Sequence, residues 1–294
     1  MTDTLIIISS VYIIFSFSCQ GHSAVDSSVL TIDLLFTWLT AFAFIVINLN
    51  LPILMGKQIR LGMLTPSSNT ALEPITQAMV APVPEVSAHF SRFKVTAISL
   101  ETSALQQFDQ HALLTAALLL ADANVNVIAW NGTSAGWLGL EQDLELCRQI
   151  TEATGIPATT SVLALHELFG NLAIEKFGLV TPYTDDVQAK IVANFASHGF
   201  DCVAEEHLNL HVNFSFAAVE PEKIAAMVYR VAEAKPQAIT TFCTNLCAAP
   251  LVAELEADTG IPIFDTVAVA VWKSLQLAGI KPTEVKGWGS LFRS

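Results

Sequence analysis

Three short segments of this chain occur twice in the same order, and that duplication restricts the fold more than any other feature. Arg60-Leu-Gly-Met-Leu-Thr-Pro66 is echoed by Lys176-Phe-Gly-Leu-Val-Thr-Pro182, and Val127-Ile-Ala-Trp-Asn-Gly-Thr-Ser134 lines up with Ala238-Ile-Thr-Thr-Phe-Cys-Thr-Asn245. Thr154-Gly-Ile-Pro157 recurs as Thr259-Gly-Ile-Pro262. The offsets of 116, 111 and 105 residues drift as short insertions and deletions would make them. Repetition of this kind marks a repeated structural unit. Around the repeats, apolar runs alternate with amphipathic stretches, the pattern of a parallel α/β sheet. The expected strands are Ile59–Thr65, Lys94–Leu100, Val125–Trp130, Phe177–Thr181, Cys202–His207, Ala238–Phe242 and Ile261–Phe264. The expected helices are His111–Ala123, Glu141–Thr154, Ser161–Ala173, Asp186–His198, Glu220–Ala234, Ala248–Thr259 and Val267–Ala278. The fold class is therefore α/β: two similar Rossmann-like lobes with parallel sheets, related by a pseudo-twofold, with the active site in the cleft between them. Residues 55–165 with 265–294 are assigned to the first lobe, and residues 166–264 to the second.

Composition narrows the function. The 294 residues carry 14 Lys and Arg against 27 Asp and Glu, a net charge of −13. No basic run offers the phosphate-neutralising surface that nucleic acid binding needs, so nucleic acid is excluded as an expected partner. The segment 1–54 stands apart: it has no Lys or Arg, and Leu34–Gly56 carries no charge over a length that could cross a bilayer. A signal peptide lacks its positive n-region here, and only Lys57 and Arg60 are available to fix a membrane topology. Met55 is followed almost at once by a strand. The reading placed first is that residues 1–54 are a mis-assigned upstream start; a membrane anchor comes second and a cleaved signal third. Without them the chain keeps all 14 basic residues and 24 of the 27 acids, as in an acidic cytoplasmic enzyme. Membrane association enters only if the segment is genuine, and a homo-oligomer is left open.

The loops after the strands hold the candidate chemistry. Pro66-Ser-Ser-Asn-Thr70, Gly132-Thr-Ser134, Pro182-Tyr-Thr184 and Cys243-Thr-Asn245 are rich in small hydroxyl and amide side chains. Ligands of such sheets bind beyond the carboxyl ends of the strands, and hydroxyls with backbone N–H groups suit anions. Each loop alone reads as helix capping; four at matched positions point to a carboxylate-binding cleft. Of the five cysteines, Cys147 and Cys202 read as small buried hydrophobes and Cys247 as packing. Cys243 follows an apolar strand, where an exposed thiol could be tuned by a helix N-terminus. The repeat sets Gly132 opposite Cys243, so one half offers a thiol where the other has only a hydrogen atom. No Walker, GxGxxG, HExxH or GxSxG motif occurs, and the cysteines form no zinc set, so neither cofactor nor metal is expected. Phe108, Trp130, Trp137, Leu138 and Phe242 are candidates for an aromatic pocket or for core, and His211 could approach the site.

On these motifs, with Asn213, Thr181-Pro-Tyr-Thr-Asp-Asp186 and the tail Gly287-Trp-Gly-Ser-Leu-Phe292, the chain from about Met55 to Ser294 resembles the aspartate/glutamate racemase superfamily. Within it the likeness is to the branch of maleate cis-trans isomerases and arylmalonate decarboxylases. The resemblance implies two catalytic cysteines in racemases and isomerases, and only the second in decarboxylases, with Gly-Thr-Ser in place of the first. Gly132 and Cys243 follow the decarboxylase; Pro-Ser-Ser-Asn and Asn213 look more like the isomerase, whose asparagines bind substrate carboxylates. The residue after Cys243 is Thr, where the decarboxylase has a glycine pair. The implied activity acts at the α-carbon of a small carboxylate or dicarboxylate, with Cys243 protonating an enediolate after decarboxylation. Isomerisation or racemisation is the alternative, and a non-catalytic carboxylate-binding protein the second. The substrate-binding set is Ser68, Asn69, Gly132, Thr133, Ser134, Tyr183, Asn213 and Thr244.

Overall fold

The computed structural model describes residues 58–293, together with a short antiparallel pair, Ile6–Ile8 with Val11–Ile13. The chain divides into two units, Met1–Met55 and Gly56–Ser294; the second carries everything that follows. The readings of residues 1–54 as a mis-assigned start, an anchor or a signal lie almost wholly outside the described residues. Among the described residues no helix is long and apolar enough to cross a membrane.

The larger unit contains two four-stranded parallel sheets. The first is built from β1 (Ile59–Pro66), β2 (Val86–Phe93), β3 (Val127–Trp130) and β4 (Ala158–Thr160), in the order β2-β1-β3-β4. The second is built from β5 (Lys176–Thr181), β6 (Asp201–His207), β7 (Ala238–Thr241) and β8 (Ile263–Asp265), in the order β6-β5-β7-β8. Both sheets therefore run second-first-third-fourth. The sequence repeat falls on equivalent places: the Thr-Pro pairs close the first strand of each sheet, and Trp130 and Thr241 end the third. The third pair of repeats also matches atom for atom. Gly155 (φ 70°) and Gly260 (φ 69°) take the left-handed conformation that ends helices α5 (Leu140–Thr154) and α10 (Val252–Thr259). That conformation costs glycine nothing, because it has no Cβ. The preceding threonines bond back identically, Thr154 Oγ1 to Ile150 O and Thr259 Oγ1 to Leu255 O, each at 2.7 Å.

Why these segments form these elements is plain from burial. β3 and β7 are buried along their whole length, and β1 and β5 nearly so, because helices cover both faces of a parallel sheet. Helices α3 (Gln110–Asp122) and α5 pack on each other beside the first sheet. Helix α6 (Ser161–Asn171), after the fourth strand of the first sheet, packs against α11 (Thr266–Leu277), after the fourth strand of the second. Asp265 caps α11 through bonds from Val267 N and Ala268 N, and Thr160 caps α6 through one from Leu163 N.

Two expected elements differ. The second strand of the first sheet is Val86–Phe93, paired with β1 along its full length, and not Lys94–Leu100. An edge strand with Ser87, His89, Ser91 and Arg92 among its residues has little of the apolar signature of a sheet strand. The residues 94–100 leave the sheet and cross its carboxyl end. Their pairing is with the other half of the molecule: Ala97 bridges Val212 antiparallel, Ile98 N donates to His211 O, and Asn213 N donates to Thr96 O. Helix α1 (Leu72–Val80) and the three-residue β4 were not expected at all, and the stretch read as the start of a helix at Ala248 is a short 3-10 turn, Ala249–Leu251, ahead of α10.

One acid is out of place in this core. Asp143, in the first turn of α5, is 2% exposed, and one carboxyl oxygen has no partner. Burial pushes its pKa from 3.8 to about 7, against a hydrogen bond with Thr160 that favours ionisation. Between those two values the folded chain holds this proton more tightly than the unfolded chain, so stability falls as pH rises through the window and levels off above it. Asp143→Asn, which keeps the shape without the charge, should raise the melting midpoint at pH 8 by at least about 2 °C. The gain should shrink towards pH 4; equal shifts at both pH values would show that the carboxyl is not buried as an acid.

Candidate active site

With strand order second-first-third-fourth, the chain reverses its winding between the first and third strands, and the crevice beyond their carboxyl ends is where such sheets bind ligands. The four hydroxyl-rich loops follow these four strands: Pro66–Thr70 after β1, Asn131–Ser134 after β3, Pro182–Thr184 after β5 and Phe242–Asn245 after β7. They meet around one small cavity of about 20 Å³. Its polar wall is Gly132, Thr133, Ser134, Tyr183, Asn213, Cys243 and Thr244, all from the sequence-derived set; its apolar wall is Pro66, Val95, Ile98, Phe108, Trp130 and Trp137. This space holds about one water, so a dicarboxylate enters only if a wall yields. The residues 94–108 cross over the cavity through Val95, Ile98 and Phe108. They also border a groove of about 640 Å³ with Thr184, Asp186 and His211, and His211 lies there rather than in the cavity.

The loops are tied to one another by buried and part-buried hydrogen bonds. Asn245 Oδ1 accepts from Thr70 N at 2.9 Å and Ala71 N at 3.1 Å, while its Nδ2 donates to Asn213 O at 2.6 Å. Asn69 Nδ2 donates to Thr244 O (3.1 Å) and Thr244 Oγ1 (3.3 Å), and its Oδ1 accepts from Ala71 N and Leu72 N at the start of α1. Asn213 Nδ2 donates to Ser68 Oγ at 2.8 Å, and Ser68 Oγ donates to Val95 O at 2.6 Å. Asn69 and Ser68 thus stand behind the cavity wall, and Asn213 on it.

Cys243 differs from the exposed thiol expected. It is 2% exposed, and the turn it precedes leads, as expected, towards a helix, through the short 3-10 turn Ala249–Leu251. Burial pushes its pKa up to about 12, although the nearby Tyr183 hydroxyl and the Asn245 and Leu246 N–H groups favour the thiolate and pull the other way. Asp265 adds a small push upward. That carboxyl is itself buried, raised to about 7 by desolvation against bonds from Thr241 Oγ1, Val267 N and Ala268 N. Its position in the repeat matches Thr160, which is the signal in the sequence that could have drawn attention to it. Tyr183 shares a 2.6 Å hydrogen bond with Thr133 Oγ1, and burial, followed by its sulfur neighbour, pushes the phenol well above its usual range. The remaining described cysteines, Cys147, Cys202 and Cys247, are half-buried, not fully buried, and lie outside the cavity. Burial holds the first two at about 12, which makes them poor nucleophiles.

Facing the thiol across the repeat, Gly132 is closed in by its own strand. A Cβ built there would lie 2.2 Å from Trp130 Cζ2 and 2.4 Å from Cη2. The indole is held in place by Phe93, with ring centroids 5.0 Å apart, and by Nε1 donating to Ser134 Oγ at 3.3 Å. Of the candidates for an aromatic pocket, Phe108, Trp130 and Trp137 line the cavity; Leu138 and Phe242 do not.

Two parallel sheets of one topology, with a buried thiol where their loops converge, define a protein of the aspartate/glutamate racemase class. Residues 62–292 match the family model described as arylmalonate decarboxylase, and the chain belongs to that family of enzymes. It is 26% identical over 251 residues to a maleate isomerase of Pseudomonas putida, covering 81% of this chain and 98% of the relative. It is 27% identical over 169 residues to an arylmalonate decarboxylase of Bordetella bronchiseptica, covering 56% and 70%. Among solved structures, a cysteine-to-serine mutant of Nocardia farcinica maleate cis-trans isomerase with a covalently bound succinylcysteine intermediate superposes with a TM-score of 0.72 at 25% identity, covering 80% of this chain and 98% of that one.

The packing of Trp130 on Gly132 sets a limit on engineering this site. Gly132→Cys should cost about 1–3 kcal/mol, as overpacking does. Adding Trp130→Leu should recover part of that loss. Chemical denaturation of the parent and the two variants measures it; a Gly132→Cys chain as stable as the parent would mean the indole moves aside freely.

Proposed function

We propose that this enzyme decarboxylates α-substituted malonates, with Cys243 as the proton donor. The observation that carries the reading is one buried, neutral thiol facing a glycine that Trp130 keeps free of any side chain. One carboxylate of the substrate is held by Thr133, Ser134, Tyr183 and nearby backbone N–H groups, an arrangement suited to stabilising a developing enediolate. The other lies against Val95, Ile98, Phe108 and Trp130. The C–C bond to it breaks, CO₂ leaves, and the electron pair delocalises into the retained carboxylate. Cys243 then gives its proton to the α-carbon on one face. The thiolate left behind is the form that Tyr183 and the N–H groups of Asn245 and Leu246 stabilise.

A racemase needs a second acid or base opposite, and an isomerase acting through a covalent cysteine needs a nucleophile in the other half. Gly132 supplies neither. Isomerisation of maleate is nevertheless the second reading, because several relatives carry that name and because Asn213 lines the cavity.

Turnover of phenylmalonate, methylphenylmalonate, maleate and aspartate, followed by CO₂ release and NMR of the products, separates the readings. Phenylmalonate is expected to react, and in D₂O the product should carry deuterium at the α-carbon. Cys243→Ser should lose at least about a hundredfold in kcat, the lower range for a positioned proton donor. Full activity in that variant, or turnover of maleate alone, would overturn the reading. The pH dependence gives a further check. A donor works only while protonated, and a thiol held near 12 stays protonated through the alkaline range. The rate should therefore show no fall from thiol ionisation around pH 8 to 9, where an ordinary cysteine titrates. A loss of kcat with a midpoint near 8.5 would place the thiol in a more exposed setting.

A further inference from the structure

The polar side chains around the cavity are almost all satisfied by one another, and the exception is informative. Thr133 and Tyr183 share a hydrogen bond, Ser134 accepts from Trp130, Thr244 Oγ1 donates to Asn131 O, and Asn213 donates to Ser68. Among the described residues, three buried side-chain polar atoms lack a partner: Thr76 Oγ1, Trp137 Nε1 and Asp143 Oδ2. Of these three residues, only Trp137 lines the cavity. It is 6% exposed and sits on the short helix α4 (Ala135–Leu138) directly after the Gly132-Thr-Ser134 turn. Its ring meets Tyr183 edge-on, with centroids 5.4 Å apart at 67°, and Phe108 at 5.7 Å and 76°. The indole is thus packed beside the Tyr183–Thr133 pair and cannot turn out to solvent.

An unpaired buried N–H costs free energy in the folded chain and is normally found bonded. Phenylalanine would fill the same wall without that cost, so a tryptophan whose N–H has no protein partner is a donor reserved for something that enters the cavity. An indole N–H can only donate, so its partner is an acceptor, and the acceptor of greatest benefit is an anionic oxygen. Its placement beside Tyr183 and Thr133 puts it with the groups assigned to the retained carboxylate. A donor on the departing carboxylate would hold back the loss of CO₂, whereas one on the retained group strengthens as negative charge builds there. We propose that Trp137 Nε1–H is a further substrate-binding donor, completing the subsite for the retained carboxylate with Tyr183 and Thr133. This inference rests on the cavity being the substrate site, as argued above for decarboxylation.

Trp137→Phe separates the donor from the shape. Phenylmalonate and maleate are titrated calorimetrically into Cys243→Ser protein, which binds without turnover, with and without the second substitution. Loss of a hydrogen bond to a charged group predicts affinity for phenylmalonate weaker by about tenfold or more. The melting midpoint without added dicarboxylate should be unchanged or higher, because an unsatisfied donor has been removed; a merely structural tryptophan would show the reverse, a lower midpoint with affinity intact. In otherwise wild-type enzyme kcat/KM should fall in parallel. The same contact is read without any change at Trp137 from ¹⁵N-indole spectra, in which the assigned Trp137 N–H should move downfield and gain exchange protection on addition of phenylmalonate. Unchanged affinity, or an indole resonance indifferent to phenylmalonate, overturns the assignment. Preference for maleate over phenylmalonate, with the Trp137 effect retained, would count against the decarboxylase reading while leaving the donor in place; binding of neither would sink both.

Discussion

The hydrogen bonds that lace the strand-end loops of one sheet to those of the other are the constraint on which this molecule depends. Asn69, Asn213 and Asn245 each place an amide between segments far apart in the chain, and Thr244 both accepts from Asn69 and donates to Asn131. A typical bond of this kind contributes only about 1 kcal/mol net, yet leaving one partner buried and unpaired costs about 1–3 kcal/mol. The network therefore acts less as glue than as a filter on geometry: the two halves fit in the one arrangement that satisfies every amide. That arrangement brings Cys243, Tyr183 and Thr133 together, although they come from both sheets.

The same interlocking buries the site, and burial sets its acid-base chemistry. In water a cysteine at neutral pH is already mostly protonated. Here burial outweighs the neighbouring donors that favour the thiolate, and Asp265 pushes in the same direction as burial. A thiol in that setting is a reluctant base and nucleophile, but it can protonate a carbanion, which is a far stronger base than a thiolate. The hydrogen bonds still matter, because they act on the anion that remains once the proton has gone. Burial and the neighbouring donors thus act on the two protonation states of one thiol in opposite senses.

Much of this was legible in the sequence, and the reason lies in what periodicity and repetition encode. The Thr-Pro strand ends, the paired Thr-Gly-Ile-Pro turns and the buried third strands gave the duplicated topology, since each is a local signal with a local cause. The loops carrying Thr133, Tyr183 and Cys243 followed from the rule that ligands gather at strand ends, whereas Asn213 came from the family resemblance. What escaped depends on distant partners. Val86–Phe93 is an edge strand whose polar residues hide it, while the more strand-like Lys94–Leu100 is recruited to the other half by Ala97 and Ile98. Asn69 reads as a binding side chain from its loop, yet its amide is committed to Thr244, a contact spanning 175 residues. The burial of Cys243 likewise comes from packing between halves, and no spacing in the chain announces it.

The asymmetry between the halves is the feature that turns a symmetrical scaffold into a directional site. A duplicated cleft would by default present equivalent groups to both faces of a planar intermediate. Replacing one reactive group by glycine removes it, but glycine alone leaves room that water could occupy, and water is itself an acid and a base. The Trp130 indole prevents this by lying against Gly132, with its N–H anchored on Ser134 and its face on Phe93. One face of the cavity thus meets hydrocarbon and the other meets a thiol. Trp130 and Gly132 are two residues apart in a strand-to-turn segment whose counterpart in the other half carries Thr241 and Cys243, so the difference between a bare glycine and a thiol at the cavity is written into the two copies of one repeat.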